Sequence, residues 1–230
     1  VGTPHIIARD ETRDVYLDNI GPEPITLNNI TANALPEARL NYTPDQTPPY
    51  WSVAAAQSAI ARYPDFTQTY WNAWTYVHGY MACAFERLYK DTGDKSYLEY
   101  VKRYIDNFID DEGNFLSVAN NKGIARVPNV CGNLDNIMSG TTLVILYEHY
   151  KHILYKKAAD FIFQFFKDYP RNYDGGFWHC RGLHRQMWID GVFMGLMFLL
   201  RYGRSIGVRN YASDEAIRQI VAYAKRGEQG

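Results

Sequence analysis

Leu146-Tyr-Glu-His-Tyr-Lys-His-Ile-Leu-Tyr155 decides the fold, because the chain repeats its pattern. Leu88-Tyr-Lys-Asp-Thr-Gly-Asp-Lys-Ser-Tyr97 stands 58 residues earlier, and Leu200-Arg-Tyr202 with Tyr211 gives a third copy, 56 residues beyond Tyr155. In each copy an apolar run with helical spacing ends, a short loop follows, and a tyrosine opens another run. Residues 95–109 show the spacing well, with Tyr97, Leu98, Val101, Tyr104, Ile105 and Phe108 on one helical face. The same periodicity predicts helices over residues 51–63, 68–90, 137–151, 155–167, 187–202 and 212–225. Pro64 and Pro170 close two of these runs, since proline cannot continue a helix.

Two antiparallel helices per repeat, at a period of this size, mean a stack or ring of helical hairpins. Loops within a pair are short, whereas those between pairs, residues 110–134 and 169–186, are long. In a ring of hairpins the ends of the long loops gather on one rim, where sites are commonly built. The expected class is therefore all-α, an (α/α)6 toroid. A full ring takes six hairpins; three pairs and one isolated early helix make about half to two-thirds of it. The chain stops soon after a helix, which fits a fragment. Residues 1–50 differ from the rest: seven prolines punctuate them, and only Asp14-Val-Tyr-Leu17 and Pro24-Ile-Thr-Leu27 resemble strands. They are expected to form an irregular arm or the remnant of an upstream module, with the hairpin domain over residues 51–230.

Composition narrows the function. The 230 residues are 47% hydrophobic, enough for one sizeable core. The formal charge of −1 and the lack of a basic run argue against nucleic acid. The longest apolar run, Gly191 to Leu200, is too short to cross a bilayer. Cys83, Cys131 and Cys180 are too scattered for a zinc site or a disulfide framework. The chain opens at Val1 without a methionine, so it is expected to be soluble and either cytoplasmic or, after removal of a leader, periplasmic or secreted. Asn29 and Asn41 sit in glycosylation triplets of a kind common by chance. Oligomeric state is not readable.

Two acids carry the chemistry. Asp190 stands near the start of an apolar helical run, behind Gly175-Gly-Phe-Trp-His179 and beside Trp188. A carboxylate there must be hydrogen-bonded, paired or at a cavity mouth, because an unpaired buried charge is too costly. Asp135, in Gly132-Asn-Leu-Asp135-Asn-Ile-Met-Ser-Gly140, stands 55 residues earlier, at nearly the same place in its repeat. Acids at equivalent rim positions should face one cavity, where a close pair splits its proton affinities. The plainer alternative is that both cap helices that recur with the hairpins. At the same level Trp71-Asn-Ala-Trp74-Thr-Tyr76-Val-His78-Gly79 offers Trp74 and Tyr76 as a stacking wall or hydroxyl contact, although core packing also suits its tryptophans. His179 would hold a hydroxyl, a carboxylate or a water, or be structural; His78 and His184 are weaker candidates.

Asn133-Leu-Asp135 with Gly140, Gly175-Gly-Phe-Trp-His179, and Gln186-Met-Trp-Ile-Asp190-Gly with Met194 resemble the signature blocks of unsaturated glucuronyl and rhamnogalacturonyl hydrolases, glycoside hydrolase families 88 and 105. Pro64-Asp65 and Trp74-Thr-Tyr76 with Gly79 resemble the family's opening block. The resemblance runs from about Ser58 to Val221 and implies an (α/α)6 toroid. It also implies an oligosaccharide substrate with a 4,5-unsaturated uronic acid at its non-reducing end, and no metal or organic cofactor. Asp190 then acts as general acid and base, and Asp135 binds substrate hydroxyls and raises its neighbour's proton affinity. His179, Tyr76, Trp74 and Trp188 contact the substrate. Pectin-derived substrates are favoured over those from glycosaminoglycans. Cys180 departs from the basic residue common there, and the family's later hairpins have no counterpart before Gly230. Two alternatives stand beside this: another carbohydrate-active enzyme on the same toroid, or a non-catalytic helical module that binds glycan.

Overall fold

A computed structural model of the chain describes residues 5–9, 12–16, 25–26, 50–65, 74–116, 118–119, 125–126 and 130–227. Its contacts divide the chain after Arg62. The first part holds three antiparallel strands in the order β1 (His5–Arg9), β2 (Thr12–Tyr16) and β3 (Ile25–Thr26). Val15 pairs with Ile6 on one side and Ile25 on the other. The two expected strand-like pieces fall on β2 and β3, while β1 was not anticipated. Helix α1 (Trp51–Arg62) falls in the same part as these strands. Of its residues only Ala56 is buried, and its run of alanines carries no apolar stripe.

The described residues from 63 onward form consecutive helical hairpins. Helix α2 (Tyr76–Thr92) pairs with α3 (Ser96–Asp106), α4 (Leu134–Tyr150) with α5 (Ile153–Lys167), and α6 (Ile189–Ser205) with α7 (Arg209–Gly227). A two-stranded pair, β4 (Val118–Ala119) and β5 (Ala125–Arg126), lies in the loop before α4. The helix expected over 68–90 starts at Tyr76 among the described residues; its residues 68–73, with Trp71, lie outside them, as do Asn29 and Asn41.

The repeat is one of conformation as well as residue type. Helix α2 ends at Gly93, whose left-handed backbone (φ 74°) turns its N–H onto the Tyr89 carbonyl. Helix α4 ends the same way at Lys151 (φ 56°), whose N–H meets the Tyr147 carbonyl. A left-handed residue after the last turn satisfies a carbonyl that the helix leaves unpaired.

Helix α4 is the centre. Every residue from Ile137 to Leu146 is buried, as befits a helix enclosed by neighbours. It packs on both α2 and α6, and both run parallel to it. At the N-terminal ends the Trp74 indole donates to the Asn136 carbonyl (2.7 Å) and the Ser139 hydroxyl to that of Thr75. At the C-terminal ends His149 meets Glu86 at 2.9 Å, and Arg201 of α6 reaches both Glu86 and Glu148. The other helices run back behind these three: the Tyr155 hydroxyl donates to Asp106 (3.0 Å), that of Tyr202 to Asp160 (2.8 Å), and Phe163 stacks on Tyr202. Three parallel inner helices, each backed by a returning one, put the N-terminal ends of α2, α4 and α6 on one rim. Among the described residues no helix is long and apolar enough to cross a membrane, no group of three or more side chains is placed to hold a metal ion, and the three cysteines are free.

Candidate active site

The rim carries both acids. Asp135 is in the first turn of α4 and Asp190 in the first turn of α6, where unpaired N–H groups and the helix dipole favour negative charge. Neither residue stands at the cap position. Asn133 caps α4, its side-chain oxygen accepting from the Asn136 N–H at 2.7 Å, and Trp188 stands at the cap of α6 without a side-chain capping bond. Asp190 is exposed, and its Oδ1 accepts from the N–H of Gly191 at 2.8 Å. Asp135 is half-buried, and its Oδ1 is buried without a hydrogen bond. His179 Nε2 lies 3.4 Å from that oxygen, an ion-pair distance that lacks hydrogen-bond geometry. Burial raises the Asp135 carboxyl above its ordinary value; His179 opposes this and the charge of Asp190 adds to it, leaving the carboxyl raised. The two acids therefore feel each other, as a pair sharing one cavity does.

The backbone of His179 is held on both sides. Its N–H donates to the Gln186 carbonyl (2.7 Å), and its carbonyl accepts from the Leu134 N–H (3.1 Å) and the buried Tyr169 hydroxyl (3.0 Å). The first of those donors is the residue before Asp135, so one carbonyl ties the histidine loop to the start of the acid's helix. Gly191, the residue after Asp190, makes room for the ring: a Cβ there would lie 2.4 Å from His179 Nδ1. Helix α7 braces the loop from behind. Gln219 accepts from the Phe177 N–H (2.8 Å) and donates to the Gly175 carbonyl (2.8 Å), while Glu215 pairs with Arg171 at 2.5 Å.

Aromatic rings surround the acids. Trp188, 44% exposed, stacks on His179 with ring centroids 4.2 Å apart and presents its other face outward. Tyr76 is half-buried and meets Tyr80 edge to face. Trp74, by contrast, is 5% exposed, with its N–H on Asn136 and its ring against Phe108 and Phe115; the structure places it beneath the site. His78 is in the core, stacked on Tyr104, and His184 stacks on Trp178. Sequence reasoning missed Tyr80. Burial, then the charges of Asp190 and Asp135, push its phenol above the ordinary value, so it lies within the field of both acids. Its spacing of one helical turn from Tyr76 was the available signal. A cavity of about 510 Å³ opens beside Asn133 and Cys180 and a second, of about 340 Å³, beside Asp106 and Tyr155; neither is lined by Asp135, Asp190, His179, Tyr76 or Trp188.

Residues 51–227 match the family model described as Glycosyl Hydrolase Family 88. Among solved structures, the chain is similar to the glycoside hydrolase from family 105 of C. acetobutylicum ATCC 824, at 26% sequence identity and a TM-score of 0.63 over 75% of this chain. It spans 44% of that protein's length. The helical hairpins are thus those of an (α/α)6 toroid, the class expected from the repeat.

Proposed function

The chain belongs to glycosyl hydrolase family 88, and from that premise we propose that it carries the acid pair of an unsaturated uronyl hydrolase. The substrate is an oligosaccharide left by a polysaccharide lyase, ending in a 4,5-unsaturated uronic acid. Asp190, exposed at the rim, gives its proton to C4 of the enol ether. Positive charge spreads over C5 and the ring oxygen, and water adds at C5 as the Asp190 carboxylate takes its proton. The resulting hemiketal opens and releases the remaining sugar. Asp135 holds substrate hydroxyls, and His179 lies beside it to orient the water or the adjoining sugar. Trp188 and Tyr76 line the pocket. One observation carries this reading: two acids open adjacent helices on one rim, Asp190 exposed and Asp135 half-buried beside His179. This route hydrates a double bond rather than displacing a glycosidic oxygen, so the carboxylate separations of ordinary glycosidases do not apply.

The test is loss of the enol-ether ultraviolet absorbance with lyase-generated disaccharides, one from rhamnogalacturonan and one from a glycosaminoglycan. Turnover is expected with the rhamnogalacturonan product in preference. Asp190→Asn should slow it by about 10²–10⁴-fold, the usual share of general acid–base help. A near wild-type rate in that variant would overturn the role given to Asp190, and turnover of saturated glycosides would replace hydration by ordinary glycosidase chemistry.

A further inference from the structure

Tyr80 and Phe193 come from α2 and α6, each of which packs on α4. Their rings stack, with centroids 6.0 Å apart and planes 11° apart. Both rings remain open, Tyr80 at 36% and Phe193 at 48% exposure. Tyr80 is one helical turn below Tyr76, and Phe193 is nearly one turn below Asp190. The stacked pair therefore forms a ledge one turn beneath the acids, joined to Tyr76 by an edge-to-face contact. Exposed aromatic faces of this kind suit the apolar face of a sugar ring.

We propose that Tyr80 is a specificity-determining residue of this site: its ring, stacked on Phe193, is the floor on which the uronic acid ring rests, and its hydroxyl is a hydrogen-bond donor at that floor. The inference rests on the carbohydrate reading above and deepens it. A phenol facing two acids stays protonated, which suits a donor to a sugar oxygen. Phe193 has no hydroxyl, so its part is to hold the Tyr80 ring flat.

The experiment uses the full chain with the lyase-generated unsaturated disaccharide as probe, read in two ways. Turnover is followed by ultraviolet absorbance, and binding by quenching of tryptophan fluorescence in an Asp190→Asn background, where Trp188 reports. Tyr80→Phe is expected to lower kcat/KM about tenfold, the weight of one hydrogen bond to a charged or strongly polar group. Tyr80→Ala and Phe193→Ala should raise KM and Kd together by more than that, because both remove the floor. If all three variants stay within twofold of wild type in KM, kcat and Kd, the inference fails while the hydrolase reading stands. If the wild type neither binds nor turns over the disaccharide, the hydrolase reading fails and takes the floor with it.

Discussion

At Asp135 a carboxylate is held half-buried, with one oxygen lacking a hydrogen bond and a neighbouring acid raising its proton affinity. A group whose folded pKa lies above its unfolded value makes the native state bind more protons, so stability falls as pH rises through that folded value. Asp135→Asn removes the charge and should be more stable than wild type at pH 7. The gain should shrink as pH falls and disappear below the ordinary carboxyl value of 3.8. Urea unfolding across that pH range checks it; an asparagine variant less stable throughout would mean that the pairing with His179 outweighs the burial cost. Gly191 gives a second residue-scale prediction. An added methyl would strike His179 Nδ1, and overpacking of this kind costs about 1–3 kcal/mol. Gly191→Ala should therefore lower the melting temperature and also displace the imidazole from Asp135, slowing turnover beyond what the stability loss explains. The acids and His179 were legible in sequence because repeat spacing and loop position mark them. Tyr80, Tyr169 and Gln219 were not, because an aromatic or amide in a helix does not reveal which distant loop or cavity it faces.

The helix ends test how far the hairpins are equivalent. Gly93 and Lys151 hold the same left-handed turn 58 residues apart, but only glycine adopts it without steric cost. A side chain there costs about 1–2 kcal/mol. A Cβ at Gly93 would meet nothing within 4 Å, so Gly93→Ala isolates that backbone cost and should destabilise by about 1 kcal/mol. Lys151→Gly should stabilise by somewhat less, since glycine loses more chain entropy and the Lys151 contact with the Tyr147 ring disappears. Chemical denaturation of the two variants gives both numbers. If Lys151→Gly were destabilising, the ring contact would matter more than the turn. Periodicity located these hairpins because their inner faces are apolar at helical spacing. It missed β1, and it started α4 at Ile137 because the first turn, Leu134-Asp-Asn, is polar apart from one residue. Capping by Asn133, which extends the helix to Leu134, depends on a side-chain hydrogen bond that apolar spacing does not register.

Across residues 63–230 the three inner helices are joined at both ends, by different means. At the rim the joint is backbone and aromatic: Trp74 to Asn136, Leu134 to His179, Tyr80 to Phe193. At the opposite end it is charge. Glu86 of α2, 5% exposed at its side chain, receives Arg201 of α6, His149 of α4 and its own Lys90, while Glu148 takes Arg201, Arg204 and Ser205. Burial alone would raise the Glu86 carboxyl, but hydrogen bonds from Arg201, Lys90 and His149 outweigh it and hold the group at about 2. Because the folded value lies below the ordinary 4.5, the stabilisation is complete above that pH and is lost as pH falls toward about 2. Removing one partner of a buried pair leaves the other charged and desolvated, at a cost of about 3–5 kcal/mol. Arg201→Met should fall near the lower figure, since Lys90 and His149 still face Glu86. The companion Glu86→Gln/Arg201→Met double variant should recover part of that loss, because it buries no unpaired charge at this position. Melting curves at pH 7 and pH 3 separate the outcomes. Wild type should lose much of its advantage over the double variant on acidification, whereas an advantage unchanged between the two pH values would show that shape rather than charge joins the three helices at this end.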